Sequence, residues 1–211
     1  MSIRLLLVDD HTIFRSGLKR LFQDEPDIAI TGEAANAGDA LGLLRRQAFD
    51  LVLLDISLAG RSGLELLASL RADGLGTPVL VLSMYPEQQY ALPAIQAGAM
   101  GYLPKDAEPD ELLRAIRRVA GGAQYLSAQA AALVRQVLQG DDQRLPHERL
   151  SVREHQIMQM LVKGMSLTDI GLEMMISVKT VSTHRGHILD KLGVGSNAEL
   201  VLYAVRQGLV S

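Results

Sequence analysis

Short apolar runs alternate with longer amphipathic segments along the first 122 residues of the chain. The runs are apolar at successive positions, which indicates strands buried on both faces, as in a parallel sheet covered by helices on each side. Five strand candidates fit this description: Ile3–Val8, Ile28–Ala34, Leu51–Leu54, Val79–Leu82 and Met100–Leu103. Five helix candidates lie among them: Ile13–Phe22, Ala37–Arg46, Gly63–Leu70, Glu87–Ala97 and Pro109–Val119. The alternation predicts an α/β domain with a doubly wound, five-stranded parallel sheet.

The alternation stops at Gly121 and Gly122, and beyond them the sequence has no further strand pattern. A helical pattern over Ala128–Leu138 is followed by the polar stretch Gln139–Gln143 and by Pro146, which together have the composition of a linker. The sequence therefore predicts three parts: a first domain over residues 1–122, a partly helical linker over residues 123–146 and a second domain over residues 147–211.

The second domain has helical patterns throughout. Ser151 precedes Glu154 by three residues, which is the signature of a capping box at a helix N-terminus. Ser166, Ser177 and Ser196 are suited to cap three further helices. We therefore predict an all-α domain of four short helices.

Charge and composition narrow the classes of function. The absence of Cys excludes disulfide frameworks, iron–sulfur clusters, Cys-zinc sites and thiol nucleophiles. Residues 1–122 carry 12 Lys or Arg and 16 Asp or Glu, whereas residues 123–211 carry 9 and 8. Because the second part is nearly neutral, nucleic-acid binding must be argued from motifs rather than from net charge.

No apolar run approaches the roughly 18 residues of a membrane span, so we expect no transmembrane helix, no signal peptide, no membrane partner and a cytoplasmic location.

Polar side chains follow the carboxyl ends of four predicted strands. Asp9 and Asp10 follow the first strand, Asp55 the third, Ser83 the fourth and Lys105 the fifth. Ligands of doubly wound sheets bind beyond this edge, so we expect the five side chains to lie close together. Carboxylate oxygens suit Mg²⁺, a carboxylate can attack phosphorus, and an ammonium and a hydroxyl can hold phosphoryl oxygens. The set therefore indicates phosphoryl chemistry assisted by Mg²⁺.

Several short stretches of the first domain form a recognisable set. They are Asp9-Asp10, Leu53-Leu54-Asp55, Gly63, Leu82-Ser83, Ala97-Gly98-Ala99 and Gly101-Tyr102-Leu103-Pro104-Lys105. This set resembles the receiver domain of bacterial two-component response regulators over residues 3–121. The resemblance implies a flavodoxin-like strand order and a phosphoryl group that Asp55 accepts from a sensor histidine kinase. It also implies that Asp10, Asp55 and the backbone carbonyl of Ser57 bind Mg²⁺, with Asp9 assisting through a water molecule.

The same resemblance implies a switch around the phosphoryl group. Ser83 would contact a phosphoryl oxygen, Lys105 would pair with the phosphoryl group, and Tyr102 would change rotamer as the signal is passed on. An ordinary half-buried strand aromatic is the alternative interpretation of Tyr102. The chain departs from the common receiver pattern at Leu58-Ala59, where Met-Pro is frequent, and at Asp106, where Pro is frequent. Both departures affect loop positioning and leave the phosphorylation chemistry in place.

A helix-turn-helix pattern lies in the second domain, with a helix from Ser166, a turn near Met175-Ile176 and a second helix capped by Ser177. Further matching stretches are Leu150-Ser151-x-Arg153-Glu154, Thr180–His184 and Lys191–Val194. These stretches resemble the LuxR-type DNA-binding domain. The segment Gly164–Gly171 departs mildly from the common family pattern at Leu167, Asp169 and Gly171, and Gly171 is expected to weaken its helix. The order of receiver, linker and LuxR-type domain is that of NarL/FixJ-type regulators, so the resemblance covers nearly the whole chain and implies a regulator of transcription that binds duplex DNA.

The second helix of this motif is the expected DNA-reading element. Val181, Ile188 and Leu192 are spaced by seven and four residues, which predicts that they are buried and that the other face meets DNA. We expect its basic side chains to contact phosphates and Ser182 and Thr183 to discriminate bases. The candidate DNA contacts are Lys179, Thr180, Ser182, Thr183, Arg185, Gly186, His187 and Lys191.

No other ligands are expected to cluster with His184 and His187 of this helix, so we expect no metal role for these two histidines. The last helix, over Asn197–Gln207, carries apolar residues on two sides, which predicts that part of it pairs two subunits. A homodimer would bind inverted-repeat half-sites, with RNA polymerase as a further candidate partner.

Three functions fit these residues. The first is a transcription factor gated by phosphorylation, which is the one we predict and which is not an enzyme. The second is a phosphatase-like enzyme with an Asp nucleophile, although haloacid-dehalogenase-type enzymes use Asp-x-Asp and Asp55 is followed by Ile56-Ser57. The third is a DNA-binding regulator that is independent of phosphorylation and has a vestigial pocket.

Overall fold

The computed structural model describes residues 2–58, 62–85, 87–128, 130–132, 135 and 145–209, apart from the side chains of residues 88 and 89. The chain divides into two compact units, residues 1–142 and 143–211. Of the sequence predictions, Ala59, the polar stretch over residues 139–143 and most of the predicted helix over residues 128–138 lie outside the described residues. The helical backbone at residues 128, 130–132 and 135 agrees with that predicted helix.

The first unit is built on a five-stranded parallel sheet with the strand order β2-β1-β3-β4-β5. Its strands are β1 (Ile3–Val8), β2 (Ile28–Ala34), β3 (Leu51–Asp55), β4 (Val79–Ser83) and β5 (Gly101–Pro104). All neighbours pair in parallel. The prediction of a doubly wound parallel sheet in flavodoxin-like order is therefore confirmed. The third and fourth strands each extend one residue beyond their predicted ends, so Asp55 and Ser83 are the last residues of β3 and β4.

Within the described residues, this sheet is flanked by the helices α1 (Thr12–Phe22), α2 (Ala37–Arg46), α3 (Gly63–Ala72), α4 (Glu87–Ala97) and α5 (Pro109–Ala120). The central strands are buried along their whole length because helices cover both faces. Leu53 and Leu80 pack with Ile116 of α5 in the main core of the unit. The rigid sheet fixes the positions of the strand ends, where the polar side chains lie.

Gly63 allows α3 to begin directly against the end of β3. A Cβ atom at Gly63 would lie 2.5 Å from the Asp55 carbonyl oxygen and 2.8 Å from Ile56 Cα, so no side chain fits there. The Gly63 N–H donates to the Ile56 carbonyl at 3.0 Å. Ser62 caps the helix by accepting the Glu65 N–H. The chain after Asp55 is thereby tied back to the strand end.

The second unit contains a 3₁₀ turn, Pro146–Arg149, and four α-helices: α6 (Val152–Val162), α7 (Leu167–Glu173), α8 (Val178–Leu192) and α9 (Asn197–Arg206). Ser151, Ser166, Ser177 and Ser196 cap these helices as predicted, each accepting a backbone N–H three residues on. The helices close on one apolar core: Ile157, Leu161, Ile170, Val181, Ile188, Leu192 and Leu200. None of the described helices combines the length and the apolar character that crossing a bilayer requires.

A tight turn joins α7 to α8. Met175 has φ +54°, a left-handed conformation that is uncommon for a residue with a side chain. Gly171 faces this turn, and a Cβ there would lie 2.9 Å from the Ile176 carbonyl oxygen. Gly171 therefore permits the close approach of helix and turn, a role that the sequence pattern alone does not reveal. The geometry is that of a helix-turn-helix with α8 as its second helix.

Candidate functional site

The carboxyl edge of the sheet carries an acidic pocket closed by one lysine. Asp9 follows β1 and Asp55 ends β3, and the two residues are only 1% and 2% exposed. Lys105, after β5, places its Nζ 2.7 Å from Asp9 Oδ2 and 2.7 Å from Asp55 Oδ2. The same Nζ lies 4.5 Å from the centre of the Phe14 ring. The structure thus brings together the charged residues that the sequence assigns to this edge.

Backbone groups orient the carboxylates of the pocket. The Ser57 N–H donates to Asp55 Oδ1 at 2.9 Å, and the His11 N–H donates to Asp9 Oδ1 at 2.7 Å. The Arg15 guanidinium donates to the Asp9 carbonyl at 2.5 Å and so fixes the turn into α1. Because the His11 and Ser57 donors belong to the backbone of the strand-end loops, the positions of the two carboxylates follow from the fold.

His11 is a member of the pocket that sequence reasoning missed. Its Nδ1 lies 2.9 Å from Asp10 Oδ1, 3.2 Å from Asp9 Oδ1 and 3.5 Å from Asp55 Oδ2. Asp9, Asp10, His11 and Asp55 each offer one ligand atom, and these atoms all lie within 4.8 Å of one another. The available signal was a histidine directly after an acidic pair at a strand end.

Burial and the charge of Lys105 shift the pKa of Asp55 in opposite directions. Burial raises the pKa of its carboxyl group above the ordinary value, and the charge and hydrogen bond of Lys105 oppose this rise. Removing Asp55 from water strengthens its interaction with any cation in the pocket. The donor set of three carboxylates is the oxygen-rich chemistry that Mg²⁺ prefers, so these residues fit that ion.

Ser83 and Tyr102 lie beside the pocket and contact each other. Both are fully buried, so Tyr102 is more deeply buried than the half-buried alternative supposes. The Tyr102 hydroxyl donates to the Tyr85 carbonyl at 3.0 Å, and the Tyr85 N–H donates to Ser83 Oγ at 3.0 Å. Burial raises the pKa of the Tyr102 phenol, against a hydrogen bond with the Ser83 side chain. A change at Ser83 therefore reaches Tyr102 directly.

The second candidate site is the outer face of α8. Val181, Ile188 and Leu192 are buried as predicted, and Leu189 joins them. Among the candidate DNA contacts, six are exposed: Lys179, Thr180, Ser182, Thr183, His187 and Lys191. Gly186 lies in open space, since nothing stands within 4 Å of a Cβ built on it. These residues form a continuous surface along the helix.

Two basic residues of α8 have partners within the unit. Arg185 Nε donates to Asn197 Oδ1 at 2.7 Å, and Lys191 Nζ donates to Glu154 Oε2 at 2.6 Å. Lys191 thus joins α8 to the capping box of α6, a structural role that the sequence did not reveal. Their contacts with DNA phosphates stay a prediction.

The expectation that His184 and His187 have no third ligand nearby is wrong. Glu154 of α6 offers an oxygen within 4.8 Å of a ring nitrogen of each histidine. The error arose because Glu154 is 30 residues away in the sequence and meets the histidines only through the packing of α6 against α8.

Comparison with known proteins places both sites in one family. Residues 5–117 match the response regulator receiver domain, and residues 148–204 match the bacterial regulatory proteins of the luxR family. The response regulator UvrY of Escherichia coli is 35% identical over 208 residues, which cover 98% of this chain and 95% of UvrY. The chain belongs to the NarL/FixJ-type response regulators. This response regulator is accordingly a two-component transcriptional regulator with a LuxR-type DNA-binding domain.

Solved structures agree with this assignment. A LuxR-family response regulator from Aurantimonas is 34% identical, has a TM-score of 0.60, and covers 66% of this chain and 99% of its own. RcsB from Salmonella enterica, solved bound to a promoter in the presence of the phosphomimetic BeF3⁻, has a TM-score of 0.66 over 96% of this chain and 98% of its own. RcsB is 19% identical to this response regulator and shares its fold.

Proposed function

We propose that this response regulator is switched by phosphorylation of Asp55, which a sensor histidine kinase carries out with Mg²⁺. The observation that carries the proposal is the pairing of Lys105 Nζ with both Asp9 and Asp55 at 2.7 Å in a buried pocket. One ammonium neutralises part of the charge of two buried carboxylates and lies where a phosphoryl oxygen on Asp55 would need a cation.

We propose that the chain has the same three parts that the sequence indicates: a receiver domain, a linker and a DNA-binding domain, with boundaries at residues 122 and 146.

The transfer itself is a nucleophilic displacement at phosphorus. A carboxylate oxygen of Asp55 forms a bond to the phosphorus of the phosphohistidine, and the P–N bond breaks with its electron pair returning to the imidazole, which takes up a proton. The product is an acyl phosphate on Asp55. Catalysis in such transfers rests on positioning and charge stabilisation, and Asp55 is positioned by the Ser57 N–H.

The acidic pocket has ligands suited to Mg²⁺. Asp10, Asp55 and the backbone carbonyl of Ser57 would hold the ion, with Asp9 assisting through water. When bound, the ion supplies positive charge to the oxygens of the transferring phosphoryl group. His11 Nδ1 contacts the same carboxylates, so its ring would turn away to admit the ion.

Ser83 and Tyr102 couple the phosphoryl group to the rest of the unit. A phosphoryl oxygen on Asp55 competes with the Tyr102 phenol for the Ser83 hydroxyl. Charge-assisted hydrogen bonds are about twice as strong as neutral ones, so the phosphoryl oxygen wins this competition. Tyr102 then loses its hydrogen bond with Ser83, and its side chain changes rotamer.

The output is dimerisation and sequence-specific binding of duplex DNA. Leu202 and Val205 of α9 are 56% and 59% exposed, which leaves an apolar strip on the surface of a small unit. Pairing two copies through this strip places two α8 helices on inverted-repeat half-sites and doubles the phosphate contacts of a nearly neutral unit. RcsB, which shares this fold, was solved bound to a promoter, and this supports DNA binding as the output. RNA polymerase is the further partner of a DNA-bound regulator.

Incubation of the full chain with Mg²⁺ and acetyl phosphate, followed by measurement of its intact mass, tests the proposal. We expect a single phosphoryl adduct on the wild-type chain and none on Asp55→Asn, because the amide keeps the shape but not the nucleophile. Asp50→Asn is the matched control, since Asp50 lies just before the opposite end of β3 and pairs with Arg4 outside the pocket. It is expected to be phosphorylated like the wild type.

The other two functions give different results in the same assay. Continuous release of phosphate without an adduct identifies a phosphatase-like enzyme. Absence of both adduct and release identifies a regulator with a vestigial pocket. An adduct on Asp55→Asn at the wild-type rate contradicts the assignment of Asp55.

A further inference from the structure

Two histidines and one carboxylate meet between α6 and α8, away from the acidic pocket. His184 and His187 lie three residues apart on α8, so they share one face of the helix. Glu154 is the third helical residue of α6. One ligand atom from each residue lies within 4.8 Å of the other two. We propose that Glu154, His184 and His187 form a Zn²⁺ site on the DNA-binding unit.

The donor set fits zinc by chemistry. Two imidazoles and one carboxylate are a common set of protein ligands for Zn²⁺, with a water molecule in the fourth position. His187 is exposed and so leaves room for that water on the solvent side. A set with two nitrogens is poorly suited to Mg²⁺, which prefers oxygen.

Glu154 is already held in the orientation that the site needs. Its Oε2 accepts the backbone N–H of Ser151 at 2.7 Å. Its Oε1 points toward His187 Nδ1 at 3.9 Å. Hydrogen bonds of this kind orient metal ligands in established sites.

Modest movements of the ligating side chains complete the site. Zinc–ligand bonds of about 2.1 Å place tetrahedral ligand atoms about 3.4 Å apart. The ligand atoms of the three residues therefore need to approach by roughly 1 Å. The His187 side chain is 58% exposed and can rotate to make that approach, whereas Glu154 is 5% exposed and stays in place.

Lys191 competes with the metal for Glu154. Its ammonium contacts Glu154 Oε2, so a divalent ion bound at Oε1 repels it. The Lys191 side chain is 43% exposed and can move into solvent. Zinc would then replace the ion pair as the link between α6 and α8. This makes the affinity for zinc dependent on residue 191, a dependence that histidines without a common metal would not show.

NMR of the full chain with isotope-labelled histidine tests the site, with zinc alone as the probe. We expect zinc to shift the ring signals of His184 and His187 together. His187→Asn is expected to weaken the zinc response of His184 by about tenfold or more, because one of three ligands is lost. Since His187 is exposed, this change leaves the fold intact. His11→Asn is the matched control, because His11 belongs to the acidic pocket, and it should leave the His184 response unchanged.

Removal of the competing charge gives an independent readout. Lys191→Met is expected to tighten zinc binding several-fold, since the repulsion disappears. The proposal would be overturned if zinc shifted the ring signals of His11 alone. It would also be overturned if the His184 signal of the His187→Asn variant responded to zinc with wild-type affinity. Neither outcome bears on the phosphorylation of Asp55.

Discussion

Lowering the pH from about 7 to about 5 is expected to destabilise the helical unit through His155. This residue lies on α6 and its side chain is buried. Burial, with a smaller effect from the charge of His147, lowers the pKa of His155 to about 4. In the unfolded chain a histidine titrates near 6.5. The folded state therefore holds a neutral imidazole over a range of pH where the unfolded state is protonated.

The sign and size of the effect follow from these two pKa values. Because the unfolded chain takes up the proton first, stability is complete above pH 6.5 and falls as the pH drops toward 4. At pH 5 the loss is about 2 kcal/mol, and the limit below pH 4 is about 3 kcal/mol. A loss of this size is a large fraction of the stability of a small domain.

Urea unfolding of the full chain at both pH values measures the effect, with the NMR signals of α6 reporting on the helical unit alone. Between pH 7 and pH 5, the free energy of unfolding is expected to fall by about 2 kcal/mol less in the His155→Gln variant than in the wild type. His11→Gln removes a histidine from the other unit, so the loss of stability that the α6 signals report should be the same as in the wild type. If His155→Gln loses as much stability as the wild type over this range, the burial argument for His155 is refuted.

Three further predictions concern DNA binding and dimerisation. Lys179→Ala should weaken binding to all DNA sequences alike and lower the salt slope by about 1, whereas Thr183→Ala should change the base preference, both measured by fluorescence anisotropy. Gly186→Leu should raise helix stability by about 1 kcal/mol and abolish specific binding, because a Cβ at this position has open space around it and the leucine side chain would fill the face that approaches the bases. Leu202→Asp should keep the phosphorylated chain monomeric in light scattering, whereas Leu145→Asp, at another exposed apolar residue, should not.

Each of these predictions has a contradicting result. A Lys179→Ala effect confined to one DNA sequence would make Lys179 a base-reading residue. A Gly186→Leu variant with unchanged affinity for its operator would show that this face of α8 does not enter the groove. A Leu202→Asp variant that still dimerises on phosphorylation would place the dimer interface elsewhere.

The sheet and its carboxyl edge were predictable because the signal is local. Each strand is a short apolar run, and the parallel arrangement places all strand ends at one edge, so Asp55 and Lys105 meet although 50 residues separate them. The serine caps were predictable for the same reason, since a cap needs only the three residues that follow it.

Features that depend on packing between elements could not be predicted in this way. His11 joins the pocket because α1 begins at the next residue and turns its ring toward the carboxylates. The Glu154–Lys191 pair and the histidine cluster depend on how α6 crosses α8, and no pattern within either helix specifies that crossing. In the sequence Gly171 is simply a glycine within a helix, whereas in the structure the carbonyl of Ile176 approaches it too closely for a side chain.

Phosphorylation of Asp55 is expected to control DNA binding, and one affinity measurement tests this most directly. Duplexes are selected from a random library by the phosphorylated full chain, and the affinity of the best duplex is then measured for the phosphorylated chain, the unmodified chain and Asp55→Asn treated with acetyl phosphate. We predict that the phosphorylated chain binds about tenfold or more tightly than the other two, which bind alike. Equal affinity for the phosphorylated and the unmodified chain would contradict the proposed switch.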